Sequence, residues 1–180
     1  LNLSLGTAAQ YSERFDPLVK AANKAIESGL IVVTAVGNNG PSPKSILSPS
    51  TSRHVISVGA CDDRNEADGS NLTIPSFSSR GPTRDRVKKP DLLAPGVDIV
   101  SLSNTDISGY SSLTGTSMSA PIVSGVVALM LQEKPNMTHF EVKKRLIENC
   151  TRIGVGQYDE GAGVLSLNKL FSIVSKEAVK

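Results

Sequence analysis

The 180-residue sequence has no basic stripe: its lysines and arginines are scattered and the formal net charge is only +2. A nucleic-acid partner is therefore not expected, because the electrostatic footprint of one is missing. The densest basic run, Arg84 to Lys89, is interrupted by Asp85 and lies among Pro and Gly, which predicts a solvated loop. No apolar run approaches the roughly 20 residues of a membrane-spanning helix, so no membrane partner is expected either. Cysteine is scarce. Cys61 and Cys150 stand far apart and could pair, but two isolated thiols more often act as small buried apolar side chains. Neither has a neighbour at metal-ligand spacing. Histidine is just as rare, with only His54 and His139. No repeat, low-complexity segment or interdomain linker interrupts the chain, and its length suits one domain with its own core.

What is present alternates between strands and helices. Leu1 to Gly6 has the pattern of a strand entering a turn, which places the start of this chain inside a fold. Any targeting segment would then lie upstream. Asp16-Pro17 is a helix start, with Asp as cap and Pro at the first helical position. Leu18, Ala21, Ala22, Ala25 and Ile26 predict its apolar face, and Gly29 its stop. Leu30 to Val36 and Val55 to Ala60 are β-branched apolar runs suited to strands buried on both faces. Strand, helix and strand in that order imply a right-handed crossover in a parallel sheet. The expected fold is α/β, three layers with helices on both faces of a mostly parallel sheet.

Residues 61–90 are rich in Asp, Asn, Ser, Gly and Pro and predict long surface loops. The acids Asp62, Asp63, Glu66 and Asp68 within them lack regular ligand spacing, so no metal is expected. Extended pieces follow at residues 92–94 and 97–102. A helix opening at Ser117 and running to about Lys134 is apolar nearly all round, which predicts a central, buried element. Thr138 with Glu141 forms a capping box for the next helix, and Ser166 to Ser175 suggests a last one.

Three segments carry chemistry: Ser4-Leu5-Gly6, Gly37-Asn38-Asn39-Gly40, and Gly115-Thr116-Ser117-Met118-Ser119-Ala120-Pro121. Each has a bland reading as a strand end, a turn or a helix cap. The third resists it. A serine in the first turn of a buried helix sits where free N–H groups and the helix dipole favour developing negative charge. Gly115 and Ala120 keep the surroundings small enough for another chain to approach. The spelling is not the Gly-x-Ser-x-Gly elbow of α/β-hydrolases.

With Val123-Ser124-Gly125 behind it, this segment resembles the active-site serine signature of the subtilisin family of serine proteases. Ser4-Leu5-Gly6 is similar to that family's substrate-binding strand, and Ala35-Val36-Gly37-Asn38 to its oxyanion strand end. Phe77-Ser78-Ser79-Arg80-Gly81-Pro82 and Lys89-Pro90-Asp91-Leu92-Leu93-Ala94-Pro95-Gly96 match the stretch between. The resemblance implies a serine endopeptidase. Ser117 would attack the scissile carbonyl, and its own N–H with the Asn38 amide would stabilise the oxyanion. Ser4 and Gly6 would pair with an extended peptide or protein substrate, Leu5, Ala35 and Gly37 would wall the pocket before the cut, and Thr116 would border it. Leu47 aligns with the pocket base, where glycine is usual. No cofactor is implied. The Ser-Arg-Gly-Pro-Thr and Lys-Pro-Asp wording resembles a large bacterial branch, favouring an intracellular over a secreted enzyme.

The pattern is incomplete. The family's Asp-x-Gly and His-Gly-x-His motifs are absent, and neither histidine stands at a matching position, so both are expected to be structural. The chain thus looks like the C-terminal portion of a single subtilisin-like domain whose N-terminal portion, carrying the Asp and His, is its partner. Sedolisins share the serine signature but place an acid where Asn38 stands. The alternative is a pseudoprotease or peptide-binding scaffold, if the upstream Asp or His has been lost. Ser119 stands where Ala is usual and Ile122 where His is common; both changes leave the mechanism intact.

Overall fold

In the computed structural model, which describes residues 1–64 and 71–172, local capping signals act where the sequence places them. Helix α1 (Pro17–Glu27) starts because Asp16 Oδ1 accepts from the N–H groups of Leu18 and Val19. It ends at Gly29, whose φ of +90° suits glycine. Its buried stripe runs through Val19, Ala22 and Ile26 with Ala25 beside it; Ala22, Ala25 and Ile26 are as expected, while Leu18 and Ala21 face solvent and Val19 takes their place. The apolar run after it forms β2 (Val33–Ala35), flanked in the parallel sheet by β1 (Asn2–Leu3) and β3 (Ile56–Cys61).

β4 (Leu92–Pro95) continues the sheet beside β3, and the short β8 (Val164–Leu165) and β7 (Cys150–Thr151) complete it in the order β1-β2-β3-β4-β8-β7. Within this sheet, among the described residues, only the β7–β8 pair is antiparallel. Alternation along the strands sends Val33, Ala35, Ile56, Val58, Leu92 and Ala94 to one face, against α2 (Thr116–Glu133) and α3 (His139–Glu148). Val32 and Val55 face the other way, onto Ala22 and Ile26 of α1. Helices therefore cover both faces of a mostly parallel sheet, as the alternation of elements predicts.

Several expectations need correction. α2 is not buried all round. Val123, Val126, Val127 and Met130 enter the core, but Pro121, Gly125, Ala128 and Leu129 form a second apolar stripe that stays exposed. Residues 97–113 hold a hairpin, β5 (Ile99–Leu102) antiparallel to β6 (Tyr110–Leu113), where the sequence suggested one extended piece and a small-residue turn. The last helix is short: α5 (Leu167–Leu170) follows the single-turn α4 (Gln157–Glu160), and the rest of the expected span lies outside the described residues beyond Ser172. So do Glu66 and Asp68. Cys61 is fully buried, Cys150 half-buried, and both are free thiols.

The basic run is also not wholly solvated. Lys89 is fully buried, with Nζ 2.7 Å from Asp91 Oδ2 and 3.2 Å from Val55 O. The same Asp91 oxygen accepts from Ser57 N–H and Oγ at 2.8 Å and lies 3.1 Å from Lys143 Nζ. Burial pushes the Lys89 amine down to about 8 despite its partner. Burial alone would raise Asp91, but Lys89 and Lys143 together hold it below the usual carboxylate range. This network ties α3 to the N-terminal ends of β3 and β4, the end of the sheet away from the chemistry.

Candidate active site

The three sequence segments meet where parallel strands end. β1 runs into Ser4, β2 into Gly37-Asn38, and α2 points its first turn at both. Crevices at the carboxyl ends of parallel strands are where open α/β sheets bind ligands. Gly115, immediately before the helix, has φ +151°, a conformation L side chains rarely adopt. A Cβ on it would come within 3.1 Å of Asn38 Nδ2. Glycine here both permits the turn and keeps that amide nitrogen clear.

Asn38 is held by its oxygen. Oδ1 accepts from Thr116 N–H at 3.0 Å and from Thr116 Oγ1 at 2.9 Å. A backbone N–H can only donate, so the amide has one orientation: oxygen toward the helix, Nδ2 outward. Nδ2 has no acceptor among the described residues. Thr116 Oγ1 in turn accepts from Gly37 N–H at 3.3 Å, closing a ring between the β2 end and the helix start.

The first helical amides are divided in the same way. Thr116 N–H goes to Asn38 and Met118 N–H to Gly115 O at 3.0 Å. The Ser117 N–H between them has no acceptor among the described residues. Two donors, Ser117 N–H and Asn38 Nδ2, are thus left unspent beside the Ser117 hydroxyl, on a helix N-terminus that favours negative charge. Ser117 is half-buried. Its Oγ donates to Ser4 O at 3.3 Å while Ser4 Oγ donates to Ser117 O at 2.9 Å, so the two serines clasp each other.

Residues 47–48 pass between the two strand ends. Leu47 N–H donates to Val36 O at 2.9 Å, and Ser48 exchanges both backbone hydrogen bonds with Thr7. That threads residues 47–48 between the segment after β2 and the segment after β1. The Leu47 side chain then fills the gap between two glycines: a Cβ on Gly6 would lie 2.9 Å from Leu47 Cβ, and one on Gly37 2.5 Å from Leu47 Cγ. Leu5 is exposed beside it, whereas the Ala35 methyl is buried in the core facing α2.

Both histidines lie elsewhere. His139 Nδ1 accepts from Val32 N–H at 3.3 Å, and Nε2 lies 2.8 Å from His54 O. The first contact makes Nδ1 the acceptor, so Nε2 carries the proton and the ring is neutral. Val32 enters β2 and Gly37 leaves it, so at about 3.3 Å per residue some 16 Å of strand separates His139 from the serine. His54 precedes β3 at that same distant end.

The fold is of the α/β class, a mostly parallel sheet with helices on both faces. The chain matches the model of the subtilase family over residues 1–164, and it belongs to that family. It is 44% identical over 165 residues to the serine protease AprX of Bacillus subtilis, covering 84% of this chain and 37% of AprX. It is 36% identical to subtilisin DY of Bacillus licheniformis, covering 93% of this chain and 54% of that protein. Among solved structures, the S41 psychrophilic protease matches 92% of the chain and 56% of its own, with 26% identity and a TM-score of 0.77. The chain thus spans about half or less of the relatives it matches.

Proposed function

We propose that this chain is the serine-bearing part of an endopeptidase that hydrolyses peptide bonds through an acyl-enzyme on Ser117. The observation that carries this reading is the pair of unspent donors at Ser117 N–H and Asn38 Nδ2, oriented by Thr116 and cleared by Gly115. As the Ser117 oxygen bonds to a scissile carbonyl carbon, negative charge moves onto the carbonyl oxygen. Donors already aimed stabilise that charge without reorganising. A peptide lying along Ser4 to Gly6 would pair by its backbone, as in strand addition. Its carbonyl would displace nothing but the weak Ser117–Ser4 contact.

The hydroxyl needs a base to accept its proton, because a serine at its free pKa is a weak nucleophile. With both histidines at the far end of the sheet, that base and the acid that orients it come from the N-terminal portion of the same domain. The exposed stripe of α2 and the free edge of β1 are the surfaces that portion would cover. A fluorophosphonate should label the full-length enzyme on Ser117, and Ser117→Ala should abolish both labelling and turnover. Labelling that persists in that variant would overturn the assignment. Peptide binding without labelling or turnover in the wild type would instead favour a pseudoprotease.

A further inference from the structure

Asn38 makes no backbone hydrogen bond of its own among the described residues, yet the peptide groups on either side of it are held by one residue. Ser79 N–H donates to Gly37 O at 3.0 Å, and Ser79 Oγ accepts from Asn39 N–H at 3.1 Å. Ser79 therefore brackets Asn38 from before and after. Its side chain is fully buried, so neither bond has water as a competitor. The neighbouring backbone reinforces the clamp, with Gly40 N–H donating to Phe77 O at 2.8 Å. Gly40 has no room for a Cβ against the Ser78 carbonyl, and the same missing Cβ at Gly37 leaves space for Ser79 Oγ at 3.1 Å.

Asn38 has two kinds of restraint. Thr116 fixes the rotation of its amide from the helix side, as described above. Ser79 fixes the backbone on which that amide stands, from the loop at residues 77–81. Removing Ser79 Oγ leaves Asn39 N–H without its acceptor and frees one side of the turn. A shift well under 1 Å at Asn38 is enough to misplace a donor whose value depends on being aimed before charge develops. Ser79 makes no hydrogen bond to Ser117 among the described residues, so an effect on turnover is expected to run through Asn38.

We propose that Ser79 is a positioning residue for the Asn38 oxyanion donor, an inference that rests on the catalytic reading of Asn38 given above. The test is a double-mutant cycle in the full-length enzyme with a peptide substrate, run alongside thermal denaturation. Asn38→Ala alone should lower kcat by about 10²- to 10³-fold, a scale carried over from a subtilisin in which the equivalent asparagine was removed. Ser79→Ala alone should lower kcat on the order of tenfold with KM nearly unchanged. In the Asn38→Ala background it should do nothing further to kcat. If Ser79→Ala impairs folding, Ser79→Cys keeps the bulk with a poor acceptor, and the same dependence on Asn38 is expected. An unchanged kcat, or an equal fall in both backgrounds, refutes the positioning role while leaving Asn38 intact as a donor. A wild-type kcat for Asn38→Ala would refute the oxyanion reading and this inference with it.

Discussion

At the scale of single residues, Leu47 fills the gap between Gly6 and Gly37. Both glycines have lost the space a Cβ would need because the Leu47 side chain occupies it. The leucine can sit there because its own backbone is held to Val36 on one side, and Ser48 to Thr7 on the other. A pocket with this base should be shallow and prefer medium apolar side chains before the cut. Leu47→Gly should deepen it and raise kcat/KM for Phe and Tyr relative to Leu by roughly tenfold or more, the scale of filling an apolar pocket. Cleavage profiles of wild type and variant on a peptide mixture would show this. A wild-type profile already dominated by Phe or Tyr would count against Leu47 as the limiting wall.

Between elements, His139 at the start of α3 ties that helix to the residues leading into β2 and β3, at the distant end of the sheet. It does so as a neutral ring, accepting from Val32 N–H and donating to His54 O. Burial is the main cause of a folded pKa below 6.5, with Lys143 also lowering it and His54 O and Asp91 opposing. A histidine held neutral in the folded state binds its proton more readily when unfolded. Its contribution is therefore intact above the unfolded value near 6.5 and is lost as pH falls below it. Tm should fall from about pH 6.5 downward, and His139→Gln should flatten that limb. Asp91, held below the ordinary carboxylate range, titrates beneath this window, and Phe140 packs edge-on to both histidines without titrating. An acid limb identical in wild type and variant would reassign it to other groups.

For the whole molecule, the exposed surface is as informative as the core. Among the described residues β1 ends the sheet with no strand on its outer edge, Leu1 and Leu5 are each 55% exposed, and Leu129 on the outer stripe of α2 is 53% exposed. A sheet edge and an apolar helix face lying open together invite association. With no histidine near Ser117, a polypeptide of residues 1–180 alone should hydrolyse nothing and should self-associate. Supplying the N-terminal portion of the domain should restore a monodisperse, active species. Light scattering and a peptide assay on the two preparations would check this. A monomeric 1–180 with turnover near that of an intact subtilase would mean that the base had been sought in the wrong place.

Much of this was legible in the residues because the determining interactions are local. Asp16 and Thr138 cap their helices through N–H groups two or three positions away, and the buried strands declare themselves by unbroken β-branched runs. The serine signature and the Gly37-Asn38 turn could be read for the same reason, since each needs particular small residues in sequence. What was not legible depends on partners far along the chain. The extended piece at 97–102 contains β5, but its partner β6 lies in a Ser- and Gly-rich stretch that reads as a turn, and Lys89 looks like any surface lysine until Asp91, Val55 and Lys143 surround it. Of the face expected for α1, Ala22, Ala25 and Ile26 do pack inward, while Val19 replaces Leu18 and Ala21, because a helix rich in small residues leaves its exact orientation to the sheet beneath. Ser79 carries no mark of its role at all: its two bonds reach across 40 and 42 residues, to peptide groups that only the folded sheet brings to either side of Asn38.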